Sequence, residues 1–279
     1  MSKIGIIAGG GQFPTLFGQA AKKRGCQVLV AAHRGESSLE LEDIADEICW
    51  VKLGQLGRII KFFQQEGVTE AVLLGTITKT RIFKDVMPDF KGLALWNKLR
   101  VRQDDSILRA VADVLEDEGI KILESTFYLS ELLFPQGLLT KKRPSPEQID
   151  DINFGWQMAR EVGRLDIGQC VVVRDRAVLA VEAIEGTDAA ILRGGKLATE
   201  QAVVVKVKKP GQDFRFDLPA IGTKTIDSME AVGAAVLAVE AGQALLFDGE
   251  AVIKRANKAG IIVIGVEEVK SGELDLGVN

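Results

Sequence analysis

The sequence predicts an α/β protein: an N-terminal Rossmann-like parallel-sheet domain over residues 1–135, then a second α/β domain over residues 136–279. Two observations predict it. Short apolar runs alternate with amphipathic stretches from the first residue onward, and Gly closes many of the stretches, as expected for parallel strands covered on both faces by helices. A proline-rich, basic interruption, F-P-Q-G-L-L-T-K-K-R-P-S-P-E at residues 134–147, then divides the pattern in two.

In the first half the order is β-α-β-β-α-β: K-I-G-I-I-A, F-P-T-L-F-G-Q-A-A-K-K-R-G, C-Q-V-L-V-A-A, E-I-C-W-V, Q-L-G-R-I-I-K-F-F-Q-Q-E-G and E-A-V-L-L-G. A later helix places Ile107, Leu108, Val111, Val114 and Leu115 on one face and leads into K-I-L-E-S, which closes the first sheet. Past the interruption, Ser145 caps a helix from Pro146 to about Leu165. A tight Asp175-Arg176 turn then joins C-V-V-V-R-D to A-V-L-A-V-E-A-I. A-V-V-V-K-V, helices near 223–233 and 249–259, and the strands A-V-L-A-V-E and I-I-V-I-G-V complete the second half.

Composition narrows function. A net charge of -4 supplies no general field for nucleic acid, so an anionic ligand must be met by local cations. Cys26, Cys49 and Cys170 are far apart and form neither a zinc knuckle nor a disulfide framework. No apolar run reaches the length of a membrane span and no signal peptide opens the chain, so it reads as cytoplasmic, with any membrane contact peripheral, at the inner membrane. With one histidine, His33, a His-rich metal centre is out of reach, and any metal must be oxygen-ligated, magnesium or manganese.

Four stretches could carry chemistry. A-G-G-G-Q-F-P, residues 8–14, follows the first strand as a nucleotide loop does, with Gly9, Gly10 and Gly11 allowing close backbone approach. It is a poor dinucleotide fingerprint, because Pro14 stands where the third glycine belongs and His33, Arg34 and Gly35 stand where an acidic residue is expected. A-V-E-A-I-E-G-T-D, residues 180–188, lets Glu182, Glu185 and Asp188 converge at a strand end beside Thr187; capping of the helix is the plainer alternative. In residues 205–226, Lys206 and Lys209 precede Asp213, Arg215 and Asp217, which share a face if the chain is extended. Two carboxylates and a guanidinium suit a magnesium ion and phosphate oxygens, and Gly222, Thr223 and Thr225 add donors at a helix start; an exposed charged edge strand is the alternative. In the first half, Asp104 and Asp105 sit where the helix dipole favours acids, and Lys79 and Arg81 follow a strand end.

Taken together, A-G-G-G-Q-F-P, R-Q-D-D-S-I-L-R-A, A-V-E-A-I-E-G-T-D and K-V-K-K-P-G-Q-D-F-R-F-D-L-P-A-I-G-T-K-T-I resemble one family over nearly the whole chain. It is the UDP-2,3-diacylglucosamine pyrophosphatase family of lipid A biosynthesis, the two-domain type unrelated to calcineurin-like phosphoesterases. The resemblance implies metal-dependent hydrolysis of UDP-2,3-diacylglucosamine to UMP and 2,3-diacylglucosamine 1-phosphate (lipid X), at a site to which both domains contribute. It makes Asp217 the first choice for the essential carboxylate and metal ligand, with Asp213 and Asp188 next. Lys206, Lys209 and Arg215 would hold phosphate, and Gly9, Gly10, Gly11, Asp104 and Asp105 would contact substrate. The acyl chains raise the question of a membrane-facing surface, for which L-L-F-P-Q-G-L-L-T-K-K-R is a candidate; packing of its leucines on the core is the alternative. Two other classes fit less well: a non-catalytic nucleotide- or lipid-binding regulator, and a nucleotide-sugar oxidoreductase, for which Tyr128 lacks a lysine four residues on.

Overall fold

Strand order in the computed structural model explains where ligands can be met; it describes residues 2–78, 87–98, 104–216, 218–269 and 272–277. The chain divides into two compact units. Unit 1 is Met1–Ser130 together with Asp213–Asp217, and unit 2 is Glu131–Gln212 with Leu218–Asn279.

Unit 1 carries a parallel sheet of β1 (Lys3–Ala8), β2 (Gln27–His33), β3 (Glu47–Val51), β4 (Glu70–Leu74) and β5 (Lys121–Ile122), in the order β3-β2-β1-β4-β5. The order reverses between β1 and β4, the switch point above which open α/β sheets bind ligands. Helices α1 (Phe13–Lys23), α2 (Leu56–Gln65), α3 (Phe90–Lys98) and α4 (Asp104–Asp117) complete it. One core runs from Ile7, Leu29 and Leu73 on the sheet to Ile59 and Phe63 of α2 and Ala112 and Leu115 of α4.

Unit 2 opens with β6 (Gly137–Leu138) and α5 (Pro146–Arg164). The N-cap expected at Ser145 is present and is completed to a capping box: its hydroxyl accepts from the Gln148 N–H while the Gln148 side chain accepts from the Ser145 N–H. β7 (Cys170–Arg174) and β8 (Ala177–Val181) form a hairpin whose turn residues Asp175 and Arg176 both have positive φ, 51° and 56°. L-residues resist that conformation, and the buried Asp151 carboxylate sustains it by accepting from both turn N–H groups. After α6 (Thr187–Ala198) come β9 (Val203–Lys206), β10 (Ala220–Ile221), α7 (Thr223–Glu230), β11 (Val236–Glu240), β12 (Leu245–Leu246), α8 (Gly249–Ala259), β13 (Ile262–Glu268) and β14 (Leu274–Asp275). The sheet order is β14-β13-β11-β9-β7-β8; β9, β11 and β13 are parallel, while β7, β8, β14 and β6 pair antiparallel.

One expectation is corrected and one alternative is filled in. The 213–217 segment is not extended up to Phe216: the Asp213 carboxylate accepts from the Arg215 N–H at 3.0 Å, and the Phe216 N–H returns to the Asp213 carbonyl at 3.2 Å. An Asp side chain that mimics a backbone turn defeats the period-2 reading of D-F-R-F-D, so Asp213 and Arg215 do not lie along one strand face. In the segment L-L-F-P-Q-G-L-L-T-K-K-R, Phe134 is buried and the partly buried Leu138 and Leu139 pack on the two cores of unit 2, as the packing alternative expects. Pro135, Gln136, Lys141, Lys142 and Arg143 are its exposed residues.

Candidate functional site

In unit 1 the glycine loop continues the sheet rather than opening a ring of free amides. Gly9 N–H donates to Leu74 O at 2.8 Å, Gly10 N–H to Thr76 O at 2.7 Å, and Thr76 N–H to Gly10 O at 3.0 Å. A Cβ on Gly9 would stand 2.6 Å from the Thr76 carbonyl oxygen, and one on Gly75 would strike the Gly10 carbonyl. These glycines are required by two backbones in contact. Gly11, at φ 87°, faces open space and is the one glycine of the three still free to meet a ligand by backbone approach. Pro14 occupies the first turn of α1, where no amide partner is lost, and the close helix approach a third glycine would give is made by Gly18 against Ile44.

His33 ends β2 beside this loop. Its Nδ1 lies 2.9 Å from the Ala8 carbonyl, which also accepts from the Ser37 hydroxyl at 2.7 Å. A carbonyl only accepts, so Nδ1 carries the hydrogen and Nε2 is left as the acceptor. Burial pushes the His33 pKa below its ordinary value, against the opposing pull of the Ala8 bond and Glu36. The ring is neutral at pH 7 and fixes the carbonyl from which the loop departs.

Segment 213–216 belongs to unit 1. Ser125 N–H donates to Phe214 O, Phe216 packs on the unit 1 core, and Arg215 reaches Glu116 of α4 at 3.0 Å. The guanidinium also grips Asp213, from Nη2 at 2.9 Å and from Nε at 3.1 and 3.2 Å. Burial pushes the Asp213 carboxyl up, but the Arg215 bonds outweigh it and hold the carboxyl below the usual range. Asp213 and Arg215 are thus each other's partners here. Asp217 and Lys79 lie outside the described residues. Asp104 and Asp105 occupy the first turn of α4, and Lys209 pairs with Asp166 at 2.7 Å.

Unit 2 gathers the remaining candidates. Lys206 on β9 lies directly across from Cys170 on β7, and the Glu182 N–H donates to Cys170 O, so the three residues form a row across neighbouring strands. Cross-strand neighbours share a face, and this face otherwise belongs to an apolar core. The Lys206 ammonium is buried and donates to Ala220 O at 3.0 Å, just before α7. Glu182 is buried too; its Oε1 accepts from the Thr187 hydroxyl at 2.9 Å, and its Oε2 has no hydrogen-bond partner among the described residues. Burial pushes the Cys170 thiol far up, with Glu182 and Asp188 adding to the rise and Lys206 opposing it, so it is an inert thiol.

Above this row two helices begin without side-chain caps. α6 starts after Gly186 and α7 after Gly222, and the side chain of Asp188 in the first turn of α6 meets Lys224 in the first turn of α7 at 3.2 Å. Uncapped first-turn amides and the positive end of the dipole make each start receptive to an anion. Thr223 opens α7 and Thr225 is buried in its first turn. Glu185 is turned away: its own backbone N–H and Arg193 hold its carboxyl low. The structure therefore brings together Thr187, Asp188, Lys206, Gly222 and Thr223 with Glu182. Lys224, which no pattern distinguished, joins them through α6-α7 packing.

Comparison with known proteins matches the chain to two family models in succession. Residues 3–132 match the LpxI N-terminal domain and residues 135–264 the LpxI C-terminal domain. The UDP-2,3-diacylglucosamine pyrophosphatase LpxI of Caulobacter vibrioides is 38% identical over 280 residues, covering 96% of this chain and 98% of its own. Solved structures are more distant: phosphoribosylglycinamide synthetase from Anaerococcus prevotii (12% identity, TM-score 0.27) aligns with 68% of this chain and 34% of its own. N5-carboxyaminoimidazole ribonucleotide synthetase from Thermotoga maritima (18%, TM-score 0.25) aligns with 67% and 42%. The chain spans less than half the length of either synthetase, and neither likeness bears on function. With both domains matched in order and a relative aligned almost end to end, the chain belongs to the LpxI family.

Proposed function

We propose that this protein hydrolyses the pyrophosphate bond of UDP-2,3-diacylglucosamine, giving UMP and 2,3-diacylglucosamine 1-phosphate. The observation that carries the reading is the 38% identity to a pyrophosphatase so named along 96% of the chain. The geometry of unit 2 supports it, since a pyrophosphate needs concentrated N–H donors and cations in a chain whose net charge is negative. The α6 and α7 starts, with Lys206 beneath them and Lys224 beside them, are such a set.

The reaction adds water across one P–O–P linkage. A water oxygen bonds to phosphorus, the bond from that phosphorus to the bridging oxygen breaks, and the bridging oxygen departs with the other product. A carboxylate takes the proton of the attacking water, and Asp217 is our assignment for it, through its place in the family-like motif. Thr187, Thr223 and the first-turn amides orient the phosphate oxygens, while Lys206 and Lys224 offset the charge gathering on them.

A magnesium or manganese ion fits this donor set in one way. Among the described residues no group of three His, Cys, Asp or Glu side chains converges, so a protein-only cage is not formed by them. Such ions are commonly held by one or two carboxylates with the substrate's phosphate oxygens as the other ligands, and Asp217 is the carboxylate we assign, through its place in the family-like motif. When bound it supplies charge neutralisation and lowers the proton affinity of water.

Incubation of the purified chain with UDP-2,3-diacylglucosamine, with and without magnesium, tests the proposal. UMP release that requires the ion and falls at least about 100-fold in Asp217→Ala is the expected result. No UMP with magnesium or manganese present refutes the activity; near wild-type turnover by Asp217→Ala refutes only that residue's role.

A further inference from the structure

Three large apolar side chains stand exposed within seven residues of unit 1: Met87 at 56%, Phe90 at 89% and Leu93 at 47%. Scattered surface apolar residues are ordinary; a group on one pinned helix is not. Phe90 and Leu93, three apart in the first turns of α3, share a side, and Met87 lies on the chain entering it. The other side is fixed. Leu95 packs on the unit 1 core, Gly92 lies so close to the Gly54 carbonyl that a Cβ would strike it, and the Asp89 carboxylate accepts from Gly92 N–H at 2.9 Å and Arg58 N–H at 3.0 Å. The helix therefore holds its apolar edge outward.

Cations surround this edge. The ammonium of Lys52 is 3.3 Å from the Met87 sulfur, and Arg58 and Lys61 of the adjoining α2 are exposed. Aromatic and aliphatic tips with Lys and Arg around them match an anionic bilayer surface, where the tips enter the headgroup boundary and the cations meet lipid phosphates. A protein partner of like composition would bring no reason for Lys52, Arg58 and Lys61 beside the tips.

We infer that Met87, Phe90 and Leu93 form the surface by which this protein rests on an anionic membrane. The inference extends the reading of the substrate as a doubly acylated lipid, which would be drawn from that same surface. It places membrane contact at α3 rather than at the basic segment near residue 140, where Leu138 and Leu139 pack on the unit 2 cores.

The test is co-sedimentation of the full chain with vesicles of phosphatidylcholine and phosphatidylglycerol, or of phosphatidylcholine alone, without substrate. Wild type should bind the mixed vesicles, bind the neutral ones less, and lose binding at least about ten-fold in Phe90→Glu/Leu93→Glu. Phe90→Ser serves as the milder variant if the double variant misfolds, with circular dichroism as the check. Failure of wild type to bind, or equal binding by a folded variant, overturns the inference. So does a dimer that becomes a monomer in the variant by light scattering while vesicle binding is unchanged, since the edge would then be covered by a second copy. Vesicle binding is read without catalysis, so it stands or falls separately from UMP release in detergent micelles.

Discussion

His33 is held neutral by burial, and this makes a prediction about stability rather than catalysis alone. Its folded pKa lies below the unfolded value of about 6.5, so between the two the unfolded chain binds more protons. Stability is therefore full above about pH 6.5 and declines as the pH falls through that range. His33→Asn, which can still donate to Ala8 O, should flatten urea midpoints measured between about pH 7.5 and 5.5; an unchanged slope would mean the ring titrates normally. Lys206 and Glu182 are the other residues whose surroundings decide their behaviour. Lys206→Met removes the bond from the buried ammonium to the Ala220 carbonyl, an expected loss of about 1–3 kcal/mol by urea denaturation. Adding Glu182→Leu should restore part of it if the two charges are coupled, and purely additive losses would show they are not. The sequence displayed both residues, but periodicity does not say which carboxylate of E-A-I-E-G-T-D is internal. Only the β7-β8 register sets Glu182 over the core and leaves Glu185 with Arg193.

Elements were the most readable level, for physical reasons. Helix α5 declared itself through Ser145, Pro146 and the amphipathic run behind them, and the β7-β8 hairpin through two residues able to turn. What periodicity could not show is where backbones or side chains of different elements come within van der Waals contact. Gly194 of α6 is such a point: a Cβ there would lie 2.6 Å from Val172 Cβ of β7. Gly194→Ala should destabilise the protein by about 1–3 kcal/mol despite its better helix propensity, since the sheet beneath cannot yield. A thermal midpoint equal to or above wild type would show that α6 can shift outward. The same blindness affected the glycine loop, where the residues that suggested phosphate binding are explained largely by the pairing of Gly9 and Gly10 with Leu74 and Thr76. Segment 213–216 misled in another way: its alternating charges imitate a strand, and a single side-chain turn at Asp213 overrides the imitation.

At the scale of the whole molecule, the order of residues along the chain and their membership of a unit part company. Unit 1 is completed by Asp213–Asp217, more than eighty residues beyond its first segment, and within it Phe216 joins the core while Arg215 reaches Glu116. No composition shift marks such an exchange, which is why a simple division at a proline-rich stretch cannot reveal it. The consequence is energetic. Truncating Phe216 should weaken unit 1 by about 1–3 kcal/mol, below the roughly 3–5 kcal/mol of a fully buried Phe because this one is only partly buried, and leave unit 2 unaffected. The three tryptophans allow this to be read: Trp50 and Trp96 lie in the unit 1 stretch of the sequence and Trp156 is buried in unit 2. In a Trp156→Phe background, fluorescence follows unit 1, and Phe216→Ala should lower its urea midpoint; in a background lacking Trp50 and Trp96, the Trp156 signal should not move. If both signals shift together by the same amount, the two units unfold as one cooperative body and segment 213–217 is part of a single core. If neither shifts, the segment adds nothing to unit 1, and Asp213 and Arg215 lose the anchoring role given to them here.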